Sequence, residues 1–339
     1  MLKSFVKSLN ANIYLNAALE IGADIEIVDE DINYAIIKYK GQELIVVGTV
    51  LGVNNAATRK ISVSKIYTSM LLKKHFSDLI SDFIYIYPPF DEKKDIEKIK
   101  VFWKNSNKKI VIKPSMGSLA KGVLVNPVNM DEIVDHIKYL LKGVKSNSII
   151  IEKFIDAKYE YRIIVVKGIV IDVIERIPAN VVGDGVSTLQ ELIDKKNEEK
   201  SRNGLSLIDL DINYIQSKKI SLSTIIKRGE QIFLNKVCNL AKGGDIKKVD
   251  INKVNPRLAN IFNEIHKITR LNLIGFDIMT NDLSKEPIEA GTFINEINSA
   301  PMPNLSYYTS INDDDPLANV KILLKTIFFN RRNDRLSLI

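Results

Sequence analysis

The chain has 339 residues, 45% of them hydrophobic and 26% charged, which excludes a disordered or low-complexity polypeptide and suggests about two domains with cores of their own. No stretch approaches the ~18 consecutive apolar residues of a membrane span, and the opening MLKSFVKSLNANIYL lacks the apolar core and cleavage site of a secretory leader, so neither is expected. The 48 Lys and Arg against 41 Asp and Glu leave a net charge of +7, which suits an anionic ligand or a surface of solvated lysines.

In chain order, apolar spacing predicts a helix over 10–21 closed by Gly22, then strands over 24–28, 34–39 and 43–48, the last two joined at Lys40-Gly41. Ser64 reads as the N-cap of a helix over 65–75. A strand over 83–87 stops at Pro88-Pro89, a helix follows over 91–105, and KIVIK at 109–113 reads as a short buried strand. An amphipathic helix over 131–142 ends at Gly143, and a strand follows over 148–153. Strands over 161–166 and 169–176 meet at Lys167-Gly168, a tight antiparallel hairpin. Ser187 and Gln190 read as a capping box. Residues 202–230 are polar without period, and then come a strand over 231–236, a helix over 256–270 and strands over 273–280 and 292–298. The interleaving predicts an α+β protein.

Cys238 is the single cysteine, which excludes an intrachain disulfide framework and a cysteine-cluster zinc site. His75, His136 and His266 are scattered without metal-ligand spacing. Three other patterns carry chemistry. KPSMGSLAKGV, 113–123, follows a strand with a loop holding Gly117 and Gly122 between Lys113 and Lys121. Glycines let backbone N–H groups approach phosphate oxygens closely, although a glycine turn with surface lysines has the same composition, and the loop is not of the GK[ST] type. Asp277 lies in one strand while Glu296 and Asn298 lie two apart in another, hence on one face. Three oxygen ligands on neighbouring strands suit Mg²⁺; the alternative is acidic strand ends facing solvent. Glu160 and Arg162 share a strand face, with Arg176 on the return strand, which suits a transferring phosphoryl group or an ordinary ion pair.

In this order the patterns make the sequence similar to the ATP-grasp enzymes, above all the module shared by cyanophycin synthetase and bifunctional glutamate–cysteine ligase/glutathione synthetase. The likeness covers roughly residues 60–310. It rests on VIKPSMGSLAKGV (111–123), ERIPANVVGDGVSTLQELI (175–193), GFDIM (275–279) and FINEINSAP (293–301). The resemblance implies an ATP-grasp fold of two α+β lobes clamping the nucleotide, preceded by a small α/β unit. The expected bounds are 1–62 for the leading unit, 63–148 for the first lobe and 149–339 for the second. It also implies ATP contacts at Lys113, Gly117, Ser118, Lys121, Gly122, Ile151, Glu152, Lys153, Phe154 and Glu160. Asp277, Glu296 and Asn298 would hold Mg²⁺, two ions with Mn²⁺ an acceptable substitute. Arg162, Arg176 and Lys113 would serve the transition state, and Asn180, Asn239, Lys242, Gly243 and Gly244 would form the substrate loop.

Such enzymes phosphorylate a carboxylate with ATP, and an amine then displaces the phosphate to give an amide. The implied protein is a cytoplasmic ligase acting on small-molecule or peptide carboxylates and amines, without nucleic-acid or membrane partners, and with homo-oligomerisation left open. Against the family pattern, Ala120 stands for a glycine, Asn235 for an arginine (with Lys236 beside it), Lys242 for a threonine and Met302 for a glycine. These departures sit mainly on the acceptor side, so a new substrate is expected, or else a nucleotide-binding homologue without ligation. A nucleic-acid-binding protein is the third alternative, but no reading motif or aromatic–basic platform is present. The partner modules of the relatives are not in this sequence, so neither cyanophycin nor glutathione from free amino acids is an expected product of it alone. Cys238 and Trp103 read as ordinary structural residues and 330–335 as a solvated basic end.

Overall fold

The computed structural model describes residues 2–117, 121–144, 146–202, 204–235, 238 and 240–329. They form two compact units, unit 1 within Met1–Ile174 and Lys248–Ile339 and unit 2 within Glu175–Lys247. Residues 1–62, 63–148 and 149–174 thus all fall in unit 1.

Unit 1 opens with helix α1 (Leu9–Glu20), whose N-cap Ser8 accepts from the Ala11 N–H. Strands β1 (Asp24–Asp29), β2 (Tyr34–Tyr39), β3 (Gln42–Val47) and β4 (Val50–Leu51) follow as an antiparallel sheet. Alternation puts Ala35, Ile37, Leu44 and Val46 on one face, where they bury against α1 residues such as Ile13 and Leu15. Helices α2 (Ala56–Val63) and α3 (Lys65–His75) come next, the second capped by Ser64 as expected.

A second sheet has the order β5-β8-β6-β7, from β5 (Phe83–Ile86), β6 (Ile110–Pro114), β7 (Leu124–Val125) and β8 (Ile149–Lys153). Its core, Ile86, Ile99, Ile110, Ile112, Ile133, Ile137, Ile149 and Ile151, is shared with α4 (Glu92–Asn105) and α5 (Met130–Lys138). The α-helix expected to Lys142 stops at Lys138, and one π-turn carries the chain over Tyr139–Gly143.

Strands β9 (Tyr159–Val166) and β10 (Ile169–Ile177) form the expected hairpin, with Lys167 and Gly168 both at positive φ. Unit 2 then contains β11 (Asn180–Val182), α6 (Leu189–Arg202), α7 (Ile212–Ser217), β12 (Gln231–Phe233) and, at its end, all but the last residue of β13 (Asp245–Lys248). Its small core includes Val181, Leu189, Leu192, Ile193, Ile226 and Leu234. The capping box lies one residue beyond the expected one. Thr188 N–H donates to Glu191 Oε2 at 2.7 Å, because the Ser187 N–H and hydroxyl are already bound to Asp184 at 2.7 Å each.

The chain returns to unit 1 through α8 (Pro256–Thr269), β14 (Leu273–Thr280), β15 (Phe293–Asn298), α9 (Asn304–Thr309) and α10 (Ala318–Phe328). In its sheet β14 lies between β9 and β15, antiparallel to both. One face buries Tyr161, Ile163, Phe276, Ile278, Ile294 and Ile297 against α8, with the Phe262 and Phe276 rings 4.4 Å apart. The observed mixture is the expected α+β class. Among the described residues no helix is long and apolar enough to cross a membrane.

Candidate functional site

The opposite face of that sheet carries the charges. Register sets Asp277 between Arg162 on β9 and Glu296 on β15, with Gly275 opposite Asn298. Glu296 and Asn298 therefore share a face, and that face is Asp277's. A β-bulge makes this possible. Asp277 pairs with Glu296 and Ile278 with Ile294, so Asn295 is an extra residue without a partner across the ladder. The inserted residue lets Ile294 enter the core while Glu296 turns to the charged side.

Arg162 grips Asp277 with two hydrogen bonds, Nε to Oδ1 and Nη2 to Oδ2, the second at 3.0 Å. The side chains are only 11% and 6% exposed. The guanidinium lies against bare backbone: a Cβ on Gly275 would sit 3.3 Å from Arg162 Cδ and Nη1. Glu296 Oε1 is 3.2 Å from Lys65 Nζ, which also donates to the Gly117 carbonyl at 3.2 Å. Asn298 Nδ2 is buried without a hydrogen-bond partner. Glu160 lies two residues from Arg162 on the same strand face, opposite Met279.

Lys113, at the end of β6, is buried; its Nζ is 2.5 Å from Glu152 Oε2 and 3.4 Å from Asn295 Oδ1. Ile151 is fully buried in the core, which leaves its side chain no ligand surface. The Lys153 and Phe154 N–H groups donate to the carbonyls of Asp82 and Lys109, so this segment is tied down on both sides. The glycine loop is anchored at both ends. Gly117 (φ +133°) is held through its carbonyl by Lys65. Gly122 (φ +70°) lies 3.1 Å from His136 Nε2 through its carbonyl, and a Cβ there would strike Leu140 Cδ2 at 2.7 Å. Lys121 is exposed. Ser118 lies outside the described residues.

Unit 2 holds the remaining candidates. Arg176 Nη2 donates to the Cys238 carbonyl at 2.6 Å, and the buried Asn180 donates to Asp245 Oδ2 at 2.8 Å. Lys242 pairs with Asp209 at the surface, 3.3 Å apart, while Gly243 and Gly244 are buried. Asn239 and Lys236 lie outside the described residues. Three hydrogen bonds from Val186 and Ser187 hold the Asp184 carboxyl at about 2, below the usual carboxylate range, and shape the turn of the GDGVST segment.

The sequence pattern of the prokaryotic glutathione synthetase ATP-grasp domain matches residues 78–212. A bifunctional glutathione synthetase from Pasteurella multocida superposes with a TM-score of 0.64 at 21% identity, over 95% of this chain and 43% of that one. The chain has the ATP-grasp fold. Cyanophycin synthetase from Synechocystis sp. is 32% identical over 201 residues, 57% of this chain and 23% of the relative. The glutathione biosynthesis bifunctional protein of Clostridium perfringens is 29% identical over 226 residues, 63% of this chain and 28% of the relative. That of Streptococcus agalactiae is 24% identical over 320 residues, 88% of this chain and 40% of the relative. The chain spans less than half the length of these relatives. The resemblance to ATP-grasp ligases read from the motifs is thereby borne out.

A hard divalent cation fits the residues that this ATP-grasp sheet gathers. Two carboxylates and an amide share one face, and the buried Asn298 amide has a nitrogen without a partner, so its orientation is open to a flip that presents oxygen. Both carboxylates now meet protein cations, Arg162 and Lys65. Among the described residues, no group of three or more His, Cys, Asp and Glu is placed to hold a metal ion. Sequence reasoning did not select Lys65 or Asn295. Lys65 did carry a signal, since a cation in the first turn of a helix opposes the macrodipole and so invites another explanation.

Proposed function

We propose that this chain is an ATP-dependent ligase that joins a carboxylate to an amine through an acyl phosphate. The observation that carries this is the charged face of Arg162, Asp277, Glu296 and Asn298, flanked by Lys65 and Lys113 beside a glycine loop. Phosphoryl transfer needs positioning and charge neutralisation more than a protein nucleophile, which suits a chain with three histidines and one cysteine.

In this reading a substrate carboxylate oxygen attacks the γ-phosphorus, and the bond to the β–γ bridging oxygen breaks to release ADP. The amine nitrogen then attacks the acyl carbon, phosphate departs with the bonding pair, and the nitrogen loses a proton. Lys113 and Lys65 contact the phosphates, Lys121 and the backbone of Gly117 and Gly122 border them, and Glu152–Phe154 with Glu160 receive the nucleoside, while Ile151 supports that strand from the core. Arg162 steadies charge developing on the transferred group. Asp277, Glu296 and Asn298 would hold Mg²⁺, as two ions and with Mn²⁺ as a substitute, supplying neutralisation of the triphosphate. A loop that excludes water protects the acyl phosphate from hydrolysis. The acceptor is an amino acid or small peptide, as in glutathione-synthetase-like addition or amide formation in a specialised peptide pathway.

The test is ADP release with ATP, Mg²⁺ and pools of amino acids and dipeptides. Turnover that requires a particular acid–amine pair, and that Asp277→Asn or Glu296→Gln abolishes, supports the ligase. A second reading, nucleotide binding without ligation, is favoured by one observation: Asn235, in an arginine position of the family, is buried with Oδ1 unpartnered. Thermal stabilisation by ATP with no turnover in any pool would select it.

A further inference from the structure

We propose that Lys200, assisted by Lys196, is a positioning residue for the 242–244 glycine loop. The role in acceptor placement rests on the ligase reading above. Lys196, Asn197 and Lys200 occupy one side of α6, as spacing by four requires. Lys200 is 4% exposed, whereas lysines normally extend their ammonium to water. Burying it is costly unless the charge is paired and hydrogen-bonded. Its Nζ donates to the Gly244 carbonyl at 3.1 Å and to Asp245 Oδ1 at 2.8 Å.

Lys196 completes the clamp from one turn earlier. Its Nζ contacts Asp245 Oδ2 at 2.5 Å and the Asn180 carbonyl at 2.6 Å, and Asn180 Nδ2 donates to the same Asp245 oxygen. The far side of the loop is fixed from the same helix. Asn197 Oδ1 accepts from the Ile208 N–H at 2.9 Å. Ile208 in turn walls in Gly243, where a Cβ would stand 2.4 Å from Ile208 Cα. Gly243 itself is at φ +77°. A loop without side chains at two successive positions has little of its own to hold it, and α6 braces it on both sides, directly through Lys200 and through Asn197 by way of Ile208. Small misplacements of binding groups reduce rates steeply, so this clamp bears on acceptor use.

The test uses the full chain, with amide hydrogen exchange of the 240–246 peptide as the primary readout. In Lys200→Met, exchange there should rise roughly tenfold or more, while peptides from β6, β8 and β14 and the ATP-induced thermal shift stay unchanged. Lys200→Arg should restore protection. For the amino acid or dipeptide that supports ADP release, Lys200→Met should raise its KM roughly tenfold and leave the KM for ATP unchanged. Unchanged 240–246 exchange, or an acceptor KM that does not move, overturns the proposal. If Lys200→Met fails to fold, Asp245→Asn keeps the side-chain shape and must loosen the same peptide selectively; unaltered exchange there overturns it equally. Absence of ADP release from the wild type in every pool would instead sink the ligase reading, and the clamp would still be judged by exchange.

Discussion

Replacing Asp277 by asparagine should destabilise unit 1 far more than loss of a surface charge. The carboxylate faces Arg162 directly across the ladder, receives two of its N–H groups, and shares with it a nearly solvent-free position. Arg162 also packs against Gly275, where a Cβ would stand 3.3 Å from its Cδ. Removing one member of a buried pair leaves the other charge uncompensated, which costs about 3–5 kcal/mol. An attraction of about 4 kcal/mol for unit charges 4 Å apart at an effective dielectric of 20 is of the same size. Asp277→Asn and Arg162→Met should thus each lose about 3 kcal/mol, and the double variant much less than their sum, a coupling of at least about 2 kcal/mol. Urea unfolding followed by far-ultraviolet circular dichroism, in EDTA, measures all four corners of the cycle. A coupling below about 0.5 kcal/mol would refute the claim that this pair acts as a unit.

Other expectations follow from the same geometry. Asp172 is 3% exposed with Oδ2 unpartnered, and burial, against weaker opposing bonds from Ser306 and Asn319, raises its pKa. The folded state therefore holds the proton to higher pH than the unfolded state, so stability from this group is present below the ordinary carboxylate pKa of about 3.9 and falls as pH rises through the folded value. Asp172→Asn should gain about 1–2 kcal/mol at pH 7 and nothing near pH 3, and equal gains in Tm at both pH values would refute this. Gly183→Ala should cost about 2 kcal/mol or more, since its Cβ would stand 2.1 Å from the Lys227 carbonyl oxygen, whereas Gly41→Ala, with open space but φ +73°, should cost about 1 kcal/mol in the same denaturation experiment. Lys65→Met should weaken ATP binding by roughly tenfold in calorimetry; undiminished affinity would remove Lys65 from the phosphate site.

Much of the fold was legible because local chemistry and tertiary context agree. Helix α3 begins after Ser64, the hairpin turns at Lys167-Gly168, and β14 spans the run read from its apolar residues. Helices α2, α7, α9 and α10 escape the sequence pattern, α7 lying within the stretch 202–230 expected to be irregular. In α2 only Thr58 and Ser62 are buried, so it shows no apolar stripe, and α9 is six residues long. The capping box was displaced because Ser187 and Thr188 are both competent N-caps in sequence. Only Asp184, which occupies Ser187, decides between them. The turn thus selected the cap by engaging its competitor, a tertiary choice that propensity does not contain.

The site was legible for the reason that alternation is reliable, and incompletely so where alternation breaks. A period of two places Glu296 and Asn298 on one face, and they are there. The same period carried back to Ile294 would put that isoleucine among the charges. It is instead in the core beside Ile278, because Asn295 is inserted between the two registers. The insertion also accounts for a contact absent from any motif. As the residue outside the ladder, Asn295 is free to meet Lys113, 182 positions away, and so joins the β6 lysine to the strand that carries Glu296. Phosphate-side and metal-side candidates are thus physically linked through a residue whose neighbours, not itself, carry the recognisable pattern. A motif records which side chains a chemistry requires; the bulge fixes which of them can meet, and that depends on a partner strand the local sequence does not reveal.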